Sequence, residues 1–353
     1  MAELDAAEMS DRLFAQSLAM TEVAAVWLGQ RLGWYAALHE HGPMTQERLA
    51  AATDTDPRCA REWLEQQAVA GVIVRDGESY ALPPGPAEAL LDRDSERWAG
   101  PLVRQMVAAV LRLPELEGAY RSGAGHSWED FGPEMSAAQG DINRPALLHM
   151  LPELWVPQIP ELAARLVAGA RVADICCGHG WAAIGLAVAF PGITVDGYDM
   201  DRAALAAAER NAELHGVADR VRFHFADVSR PLPAGGYDVA VAVECVHDLA
   251  RPVAVLQAIR AATAENGMVI VIDMAADDAL RTPADDIQRT LYGFSLLVCL
   301  PDSMAQPDSA ATGAVMRLST LIDYATAAGF GAVTVLDVPE TGLWRIYRLD
   351  RPA

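Results

Sequence analysis

Short runs of β-branched and apolar residues alternate with helix-forming segments over the second half of the chain, from Arg171 onward. Five of these runs are predicted strands: Val172–Ile175, Ile193–Tyr198, Val221–Phe225, Tyr237–Val243 and Met268–Asp273. Strands separated by helices indicate a parallel sheet with helices on both faces. After a long insertion, the pattern predicts a helix and then two closely spaced strands: Thr320–Ala328, Val333–Val338 and Trp344–Leu349. The chain is therefore predicted to be an α/β protein with a doubly wound, seven-stranded, Rossmann-like sheet.

The first 90 residues have a different pattern, with helices followed by a small hairpin. Thr45 is a capping residue at the start of a helix, and Arg58–Ala70 is a second helix that ends at Gly71. Val72–Leu82 then contains Asp76-Gly77, a hairpin turn signal. This order of elements predicts a winged helix. We expect three parts: a winged-helix domain over 1–90, a helical linker roofing a pocket over 91–168, and the α/β domain over 169–353.

Composition restricts the partners of the protein. The formal net charge is −21 over 353 residues, and all 27 basic residues are arginine. Nucleic acids bind clustered positive charge, yet residues 41–84 hold seven acids and four arginines. We therefore expect the winged helix to serve dimerisation, giving a homodimer that binds no nucleic acid.

The compartment and the metal content are also predicted from composition. The amino terminus lacks the basic start and apolar core of a signal peptide, and no apolar run approaches the length of about 18 residues that a membrane span needs. The five cysteines are widely spread and lack zinc-ligand spacing. We expect a cytoplasmic protein with no membrane partner and no metal site.

A glycine-rich turn follows the first strand of the sheet, in the segment Val172-Ala-Asp-Ile-Cys-Cys-Gly-His-Gly-Trp181. Such a turn lets a cofactor approach the backbone at the carboxyl end of a parallel strand. Gly178, Gly180 and Ala183 alone also satisfy the loose dinucleotide pattern. Asp174 indicates which kind of cofactor the turn binds, because a buried acid needs a cationic partner. A pyrophosphate would repel it, whereas the ammonium group of S-adenosylmethionine (SAM) would pair with it.

Further acids stand where the next strands end. Asp199 follows the second strand, where a carboxylate can accept both hydroxyls of a ribose, and Asp227 follows the third, where it can accept from an adenine amino group. The carboxyl ends of successive parallel strands converge on one crevice. Their neighbours Met200 and Val228, together with Glu244 after the fourth strand, complete the candidate cofactor site.

With these residues placed, the chain resembles the class I SAM-dependent methyltransferases. It is most similar to bacterial small-molecule O-methyltransferases that carry an amino-terminal winged-helix dimerisation domain. The resemblance includes four stretches: Gly33-Trp-Tyr with Arg61-Glu-Trp-Leu, the glycine turn, Glu244–Leu249, and Ala328-Gly-Phe330. It implies that Asp174, Gly178 and Gly180 hold the methionyl end, Asp199 the ribose and Asp227 the adenine. Cys176 departs from the usual first glycine, so we expect a slightly reshaped loop.

Glu244-Cys-Val-His247-Asp248-Leu249 resembles the His-Asp-Trp stretch whose histidine takes the proton from the acceptor hydroxyl in O-methyltransferases. Imidazole suits this task because its ordinary pKa is near operating pH. The resemblance implies that His247 and Asp248 are catalytic. The alternative is a structural histidine beside a next helix capped by Asp248.

Four residues outside these motifs are candidate contacts for the acceptor. His149 and Trp155 belong to the helical linker, and Tyr292 and Phe294 belong to the apolar insertion after the fifth strand. The alternative for the two linker residues is ordinary packing, and the alternative for the insertion is a helix packed on the neighbouring subunit.

The function that these observations favour is transfer of a methyl group from SAM to a small metabolite, aromatic or polyketide-like, with oxygen as the preferred acceptor atom. Two alternatives stay open. One is an enzyme of the same fold that catalyses a cyclisation or rearrangement, since fold does not fix the reaction. The other is a winged-helix regulator that senses a metabolite.

Overall fold

The computed structural model describes residues 4–352. The chain forms two compact units, Met1–Ala108 and Ala109–Ala353. None of the helices within the described range is long and apolar enough to cross a membrane.

The first unit contains the predicted helices and hairpin. Its elements are α1 (Ala6–Arg31), α2 (Trp34–His41), α3 (Gln46–Thr53), α4 (Pro57–Val69), β1 (Val74–Asp76), β2 (Ser79–Ala81) and α5 (Pro84–Leu91), and α6 (Gly100–Val110) crosses its boundary. Thr45 caps α3 as predicted, and its side chain accepts from the backbone N–H of Arg48. β1 and β2 are antiparallel, with Gly77 at φ 58° in the turn between them.

The second unit is helical up to its sheet and then alternates between strands and helices. Its helices are α7 (Leu113–Ser122), α8 (Trp128–Phe131), α9 (Pro133–Pro145), α10 (Pro160–Val167), α11 (Trp181–Ala189), α12 (Arg202–Leu214), α13 (Pro252–Ala262), α14 (Asp286–Phe294), α15 (Leu300–Met304) and α16 (Leu318–Ala327). Two segments have π-helical turns, Ala146–Trp155 and Ser295–Cys299, and Val156–Gln158 is a 3₁₀ turn.

The sheet has seven strands, as predicted. They are β3 (Arg171–Ile175), β4 (Thr194–Asp199), β5 (Val221–Phe225), β6 (Tyr237–Val243), β7 (Thr263–Met274), β8 (Ala332–Leu336) and β9 (Trp344–Asp350). Their order is β5-β4-β3-β6-β7-β9-β8, with β3 to β7 parallel and β9 antiparallel to both neighbours.

Alternate residues of the central strands enter two apolar layers, one on each face of the sheet. Val172 and Val239 pack in one layer, while Ala173 and Ala240 pack in the other. Burial on both faces explains why these strands are almost continuously apolar in the sequence. β3 has β4 on one side and β6 on the other, so the chain reverses direction across the sheet at β3. Open α/β sheets bind ligands at the carboxyl ends of the strands at such a point.

Candidate functional site

The turn after β3 has a left-handed backbone at three positions. Cys176, Gly178 and Gly180 have φ values of 57°, 51° and 78°. The loop thus keeps a glycine-type conformation at Cys176, where a side chain is present. A Cβ on Gly180 would stand 2.6 Å from the ring of Phe223, whereas no atom lies within 4 Å of the corresponding position on Gly178. Gly180 therefore serves packing, and the backbone at Gly178 is open to a ligand.

Asp174 is the last residue but one of β3 and is 1% exposed. Its Oδ2 accepts a hydrogen bond from the backbone N–H of Ala183 at 3.1 Å, at the start of α11. Within residues 4–352 no arginine or histidine forms an ion pair with it. Burial raises the pKa of Asp174 to about 7, although the bond from Ala183 opposes this shift. A carboxylate in this position is stabilised by a cationic ligand.

Asp199 ends β4 and is held against the glycine turn. Its Oδ2 accepts from the N–H of Gly178 at 2.8 Å, and its Oδ1 accepts from the N–H of Asp201 at 2.8 Å. Burial raises the pKa of Asp199 above its ordinary value. Met200, the next residue, is 53% exposed. The structure therefore brings Asp174, Gly178, Gly180 and Asp199 together, and we call these four residues the glycine-turn set.

Asp227 follows β5 and already has several protein partners. Its Oδ1 accepts from the N–H and the hydroxyl of Ser229, and its Oδ2 accepts from Arg230 Nε at 3.1 Å. The hydrogen bonds from Ser229 are the main cause of a lowered pKa at Asp227. Val228 is buried in the apolar layer beside it. A purine donor at Asp227 would share the carboxylate with these groups.

Glu244 follows β6 in a strained, half-buried position. Its φ is 53°, a left-handed value that is uncommon for a residue with a side chain. Its Oε2 accepts from Gln139 Nε2 at 3.1 Å. Desolvation raises the pKa of Glu244 to about 7, opposed by the positive field of His247. Backbone strain and an acid with a raised pKa are together typical of functional positions.

His247 is 1% exposed and lies in the loop after β6, over the end of the neighbouring strand β7. Its Nδ1 lies 2.5 Å from Asp273 Oδ1, and its Nε2 lies 3.2 Å from Asp248 Oδ1. Burial disfavours the charged ring, but the carboxylates of Asp248 and Asp273 outweigh it and hold the pKa of His247 well above its ordinary value. Asp273 also accepts from the backbone N–H of His247 at 3.3 Å, so it fixes both ring and backbone.

The alternative role for Asp248 as a helix cap is wrong. Helix α13 begins at Pro252, its N-cap position is Arg251, and no side chain caps it. Asp248 Oδ1 is instead buried beside the imidazole.

Three residues of this site were missed in the sequence. Asp273 ends the fifth predicted strand, so the same strand-end argument that found Asp199 would have found it. Cys299 and Asp302 come from the insertion at Ser295–Met304, which carries no motif. Burial raises the pKa of Cys299 to about 12 and that of Asp302 to about 7. We call His247, Asp248, Asp273, Cys299 and Asp302 the His247 cluster.

The four candidate acceptor contacts have different environments. Trp155 is fully buried, its ring 5.7 Å from that of Trp344, so in this structure it has no surface left for an acceptor. His149 is partly exposed on the π-helical segment, 3.9 Å from Glu153 Oε1. Tyr292 is 39% exposed and Phe294 is half-buried, both at the end of α14. Acceptor contact at His149, Tyr292 and Phe294 stays a prediction.

Comparison with known sequences finds a match in the central part of the second unit. Residues 166–299 match the family model of a methyltransferase domain. Among curated proteins, the chain is 33% identical over 159 residues to a release factor glutamine methyltransferase of Gloeobacter violaceus, covering 43% of this chain and 52% of that protein. The chain spans between about a fifth and a half of the length of the curated relatives that it matches.

Solved structures share the fold over nearly the whole chain. One is a putative O-methyltransferase of Nostoc punctiforme, with a TM-score of 0.72 and 21% identity, covering 99% of each chain. Another is an O-methyltransferase from neocarzinostatin biosynthesis, in complex with S-adenosyl-L-homocysteine and 1,4-dihydroxy-2-naphthoic acid. That match has a TM-score of 0.64 and 22% identity and covers 94% of this chain and 96% of the other. Identities at this level show a common fold.

Proposed function

We propose that this chain, which has the class I methyltransferase fold and carries a methyltransferase domain at residues 166–299, is a SAM-dependent methyltransferase that acts on a small metabolite. The observation that carries the proposal is the glycine-turn set. It combines a buried carboxylate that lacks a cation with an open backbone at Gly178 and a second strand-end acid at Asp199.

The residues present fit SAM. Asp174 would take the ammonium group, the backbone at Gly178 would lie along the methionyl chain, and Asp199 would accept from the ribose hydroxyls. Asp227 with Val228 would hold the adenine, beside the exposed side chain of Met200. Glu244, whose side chain is half-buried after β6, would complete the cofactor site. When bound, SAM supplies an electrophilic methyl group, and transfer then depends mainly on in-line placement of the acceptor.

His247 is proposed as the general base for a hydroxyl acceptor. Its Nδ1 faces Asp273, which orients the ring and directs Nε2 towards the acceptor. Because Asp248 and Asp273 hold the pKa of His247 well above its ordinary value, Nε2 must lose its own proton before it can accept one. For that transfer, the acceptor hydroxyl must take the place of Asp248 Oδ1, which lies 3.2 Å from Nε2. Asp248 then contributes to the charge balance of the protonated ring. The acceptor is proposed to be an aromatic or polyketide-like secondary metabolite, with contacts from Tyr292, Phe294 and His149.

Calorimetry tests the cofactor. Titration with S-adenosylhomocysteine should give binding in the micromolar range, and NAD should give none. Preference for NAD, or no binding of either compound, would overturn the assignment. Methylation of phenolic metabolites with labelled SAM then separates a methyltransferase from an enzyme that rearranges its substrate.

A homodimer through α1 is proposed as well. This helix exposes large apolar side chains along much of its length, including Leu13, Phe14 and Leu18, which are 51%, 73% and 50% exposed. A patch of this kind on a helix 26 residues long is costly in water and marks an association surface. Phe14→Asp should therefore give monomers in sedimentation. Arg12→Asp, roughly on the opposite side of the helix, should leave the dimer intact.

The first unit has little unpaired positive charge on α4 for binding DNA. On α4, Arg58 pairs with Glu62 at 2.5 Å and Arg61 pairs with Glu65 at 2.9 Å, so both arginines are neutralised on their own helix. Duplex binding at physiological salt would favour the regulator instead. The five free cysteines support the proposed cytoplasmic location.

A further inference from the structure

The His247 cluster holds three different kinds of metal ligand in one place. A ring nitrogen of His247, a carboxylate oxygen of Asp248 and the sulfur of Cys299 all lie within 4.8 Å of one another. His247 and Asp248 follow β6, whereas Cys299 ends the π-helical segment Ser295–Cys299. Nitrogen, oxygen and sulfur donors from such separate segments meet only in the folded chain.

The spacing suits a small tetrahedral ion. Zinc binds at about 2.0–2.3 Å from nitrogen, oxygen and sulfur ligands, which places its ligands roughly 3.3–3.8 Å apart. Movements of about 1 Å, within the reach of side-chain rotation, would bring the three atoms to that separation. Three protein ligands leave a fourth position for water or another oxygen.

The surroundings of His247 match those of a metal-ligating histidine. Such histidines almost always donate the second ring N–H to a carboxylate, which fixes the tautomer and leaves the other nitrogen for the metal. Asp273 is 0% exposed and makes this contact with Nδ1. Nε2 is therefore the ring nitrogen that lies beside Asp248 and Cys299, and it becomes a metal ligand when its proton is lost.

The oxygen of Asp248 is the second ligand atom of the cluster. Asp248 Oδ1 is buried and forms an ion pair with His247 Nε2 at 3.2 Å, while the Asp248 side chain as a whole is 29% exposed. This contact is not aligned as a hydrogen bond. A divalent cation between this oxygen, Nε2 and the thiolate would replace the ion pair and supply the positive charge that the carboxylate needs.

We propose that His247, Asp248 and Cys299 form a binding site for a thiophilic divalent cation of the zinc class, with Asp273 as the residue that orients the histidine. Zinc binding releases two protons to solvent, the thiol proton of Cys299 and the Nε2 proton of the His247 ring, and the metal then occupies Nε2. The site is then closed to an acceptor hydroxyl, so the metal acts as an inhibitor that competes with the acceptor. The inhibition rests on the proposed function of His247, whereas metal binding does not depend on methyl transfer, because it is measured without catalysis.

Cobalt titration of the full chain tests this site directly. Co²⁺ in place of Zn²⁺ should produce a near-ultraviolet thiolate-to-cobalt band, and excess Zn²⁺ should remove it. Cys299→Ser should abolish the band, whereas Cys59→Ser, which changes an exposed cysteine, should retain it. Asp273→Asn should keep the band but weaken binding by roughly 10–100-fold.

Circular dichroism on each variant separates loss of the site from loss of the fold. If Cys299→Ser does not fold, Asp248→Asn provides the second test, since it should weaken Co²⁺ binding and leave the thiolate in place. The proposal is overturned if wild-type protein gives no thiolate band, or if the band persists in folded Cys299→Ser. Failure of SAM binding would leave this result untouched, so the two proposals fail independently.

Discussion

The glycine-turn set and the His247 cluster lie on the same edge of one sheet but are built differently. Asp174 and Asp199 are held by backbone N–H groups of the glycine turn and of the segments that follow their own strands, those of Ala183, Gly178 and Asp201. The His247 cluster is held by side chains from three separate segments, so each member depends on the tertiary fold. The first region is therefore robust to substitution of its neighbours, and the second is sensitive to each of its members.

The largest expected effect separates catalysis from cofactor binding. His247→Ala should lower turnover by about 10²–10⁴-fold, the usual contribution of a general base, and leave cofactor affinity nearly unchanged. Steady-state kinetics and calorimetry measure the two quantities. His39→Ala, on an exposed position of α2, is the control. If His247→Ala has unchanged turnover on the true acceptor, the rate depends on positioning of the acceptor without a general base. That result would favour a carbon or amine acceptor.

The matching test on the glycine-turn set changes cofactor binding. Asp199→Ala should weaken cofactor binding by about 1.5–3 kcal/mol, because a charge-assisted hydrogen bond to the ribose is lost. Asp219→Ala, on a carboxylate whose side chain is 75% exposed, should bind the cofactor like the wild type. Equal affinity of the Asp199 variant and wild type in calorimetry would remove Asp199 from the site.

The pH dependence of cofactor binding tests Asp174. With a pKa of about 7, this carboxyl is mostly protonated at pH 6 and mostly ionised at pH 8. Only the ionised form pairs with an ammonium group, so apparent affinity should rise about tenfold between these pH values. The stability of the cofactor-free protein should depend on pH in the opposite direction. Because the pKa of Asp174 is raised in the folded state, folding stability is lost as pH rises through 7.

Asp174→Asn sharpens that test, because an amide does not titrate in this range. The variant should bind more weakly than the wild type at pH 8 and show no rise in affinity between pH 6 and pH 8. A wild-type affinity that is independent of pH would exclude Asp174 as the partner of the ammonium group.

The smallest expected effect concerns the backbone of the glycine turn. Cys176 has a left-handed φ of 57°, which costs a residue with a Cβ roughly 1–2 kcal/mol. Cys176→Gly should therefore be more stable than Cys176→Ala by about 1 kcal/mol in chemical denaturation, since only glycine removes the strain. Equal stability of the two variants would show that the turn tolerates a side chain at this position.

The sequence predicts the sheet well because alternation and burial act locally. Val221–Phe225 and Tyr237–Val243 match β5 and β6 residue for residue. β7 starts earlier than predicted, at Thr263, because this residue pairs with Tyr237 across a register shift that apolar periodicity does not reveal. Trp155 is predicted to contact the acceptor, whereas in the structure it packs on Trp344, a residue far along the chain.

The sequence by itself locates Asp174, Gly178 and Gly180 on one strand and turn, because the strand, the turn and the following helix are contiguous. Asp199 joins them only through the parallel pairing of β4 with β3. The tertiary structure alone decides the His247 cluster. Asp273 reaches His247 only because β7 pairs beside β6, and Cys299 and Asp302 reach it only because the insertion after α14 folds over the strand ends. Side-chain contacts between segments distant in the chain leave no periodic trace in the sequence, since each residue satisfies its own local structure equally well without its partner.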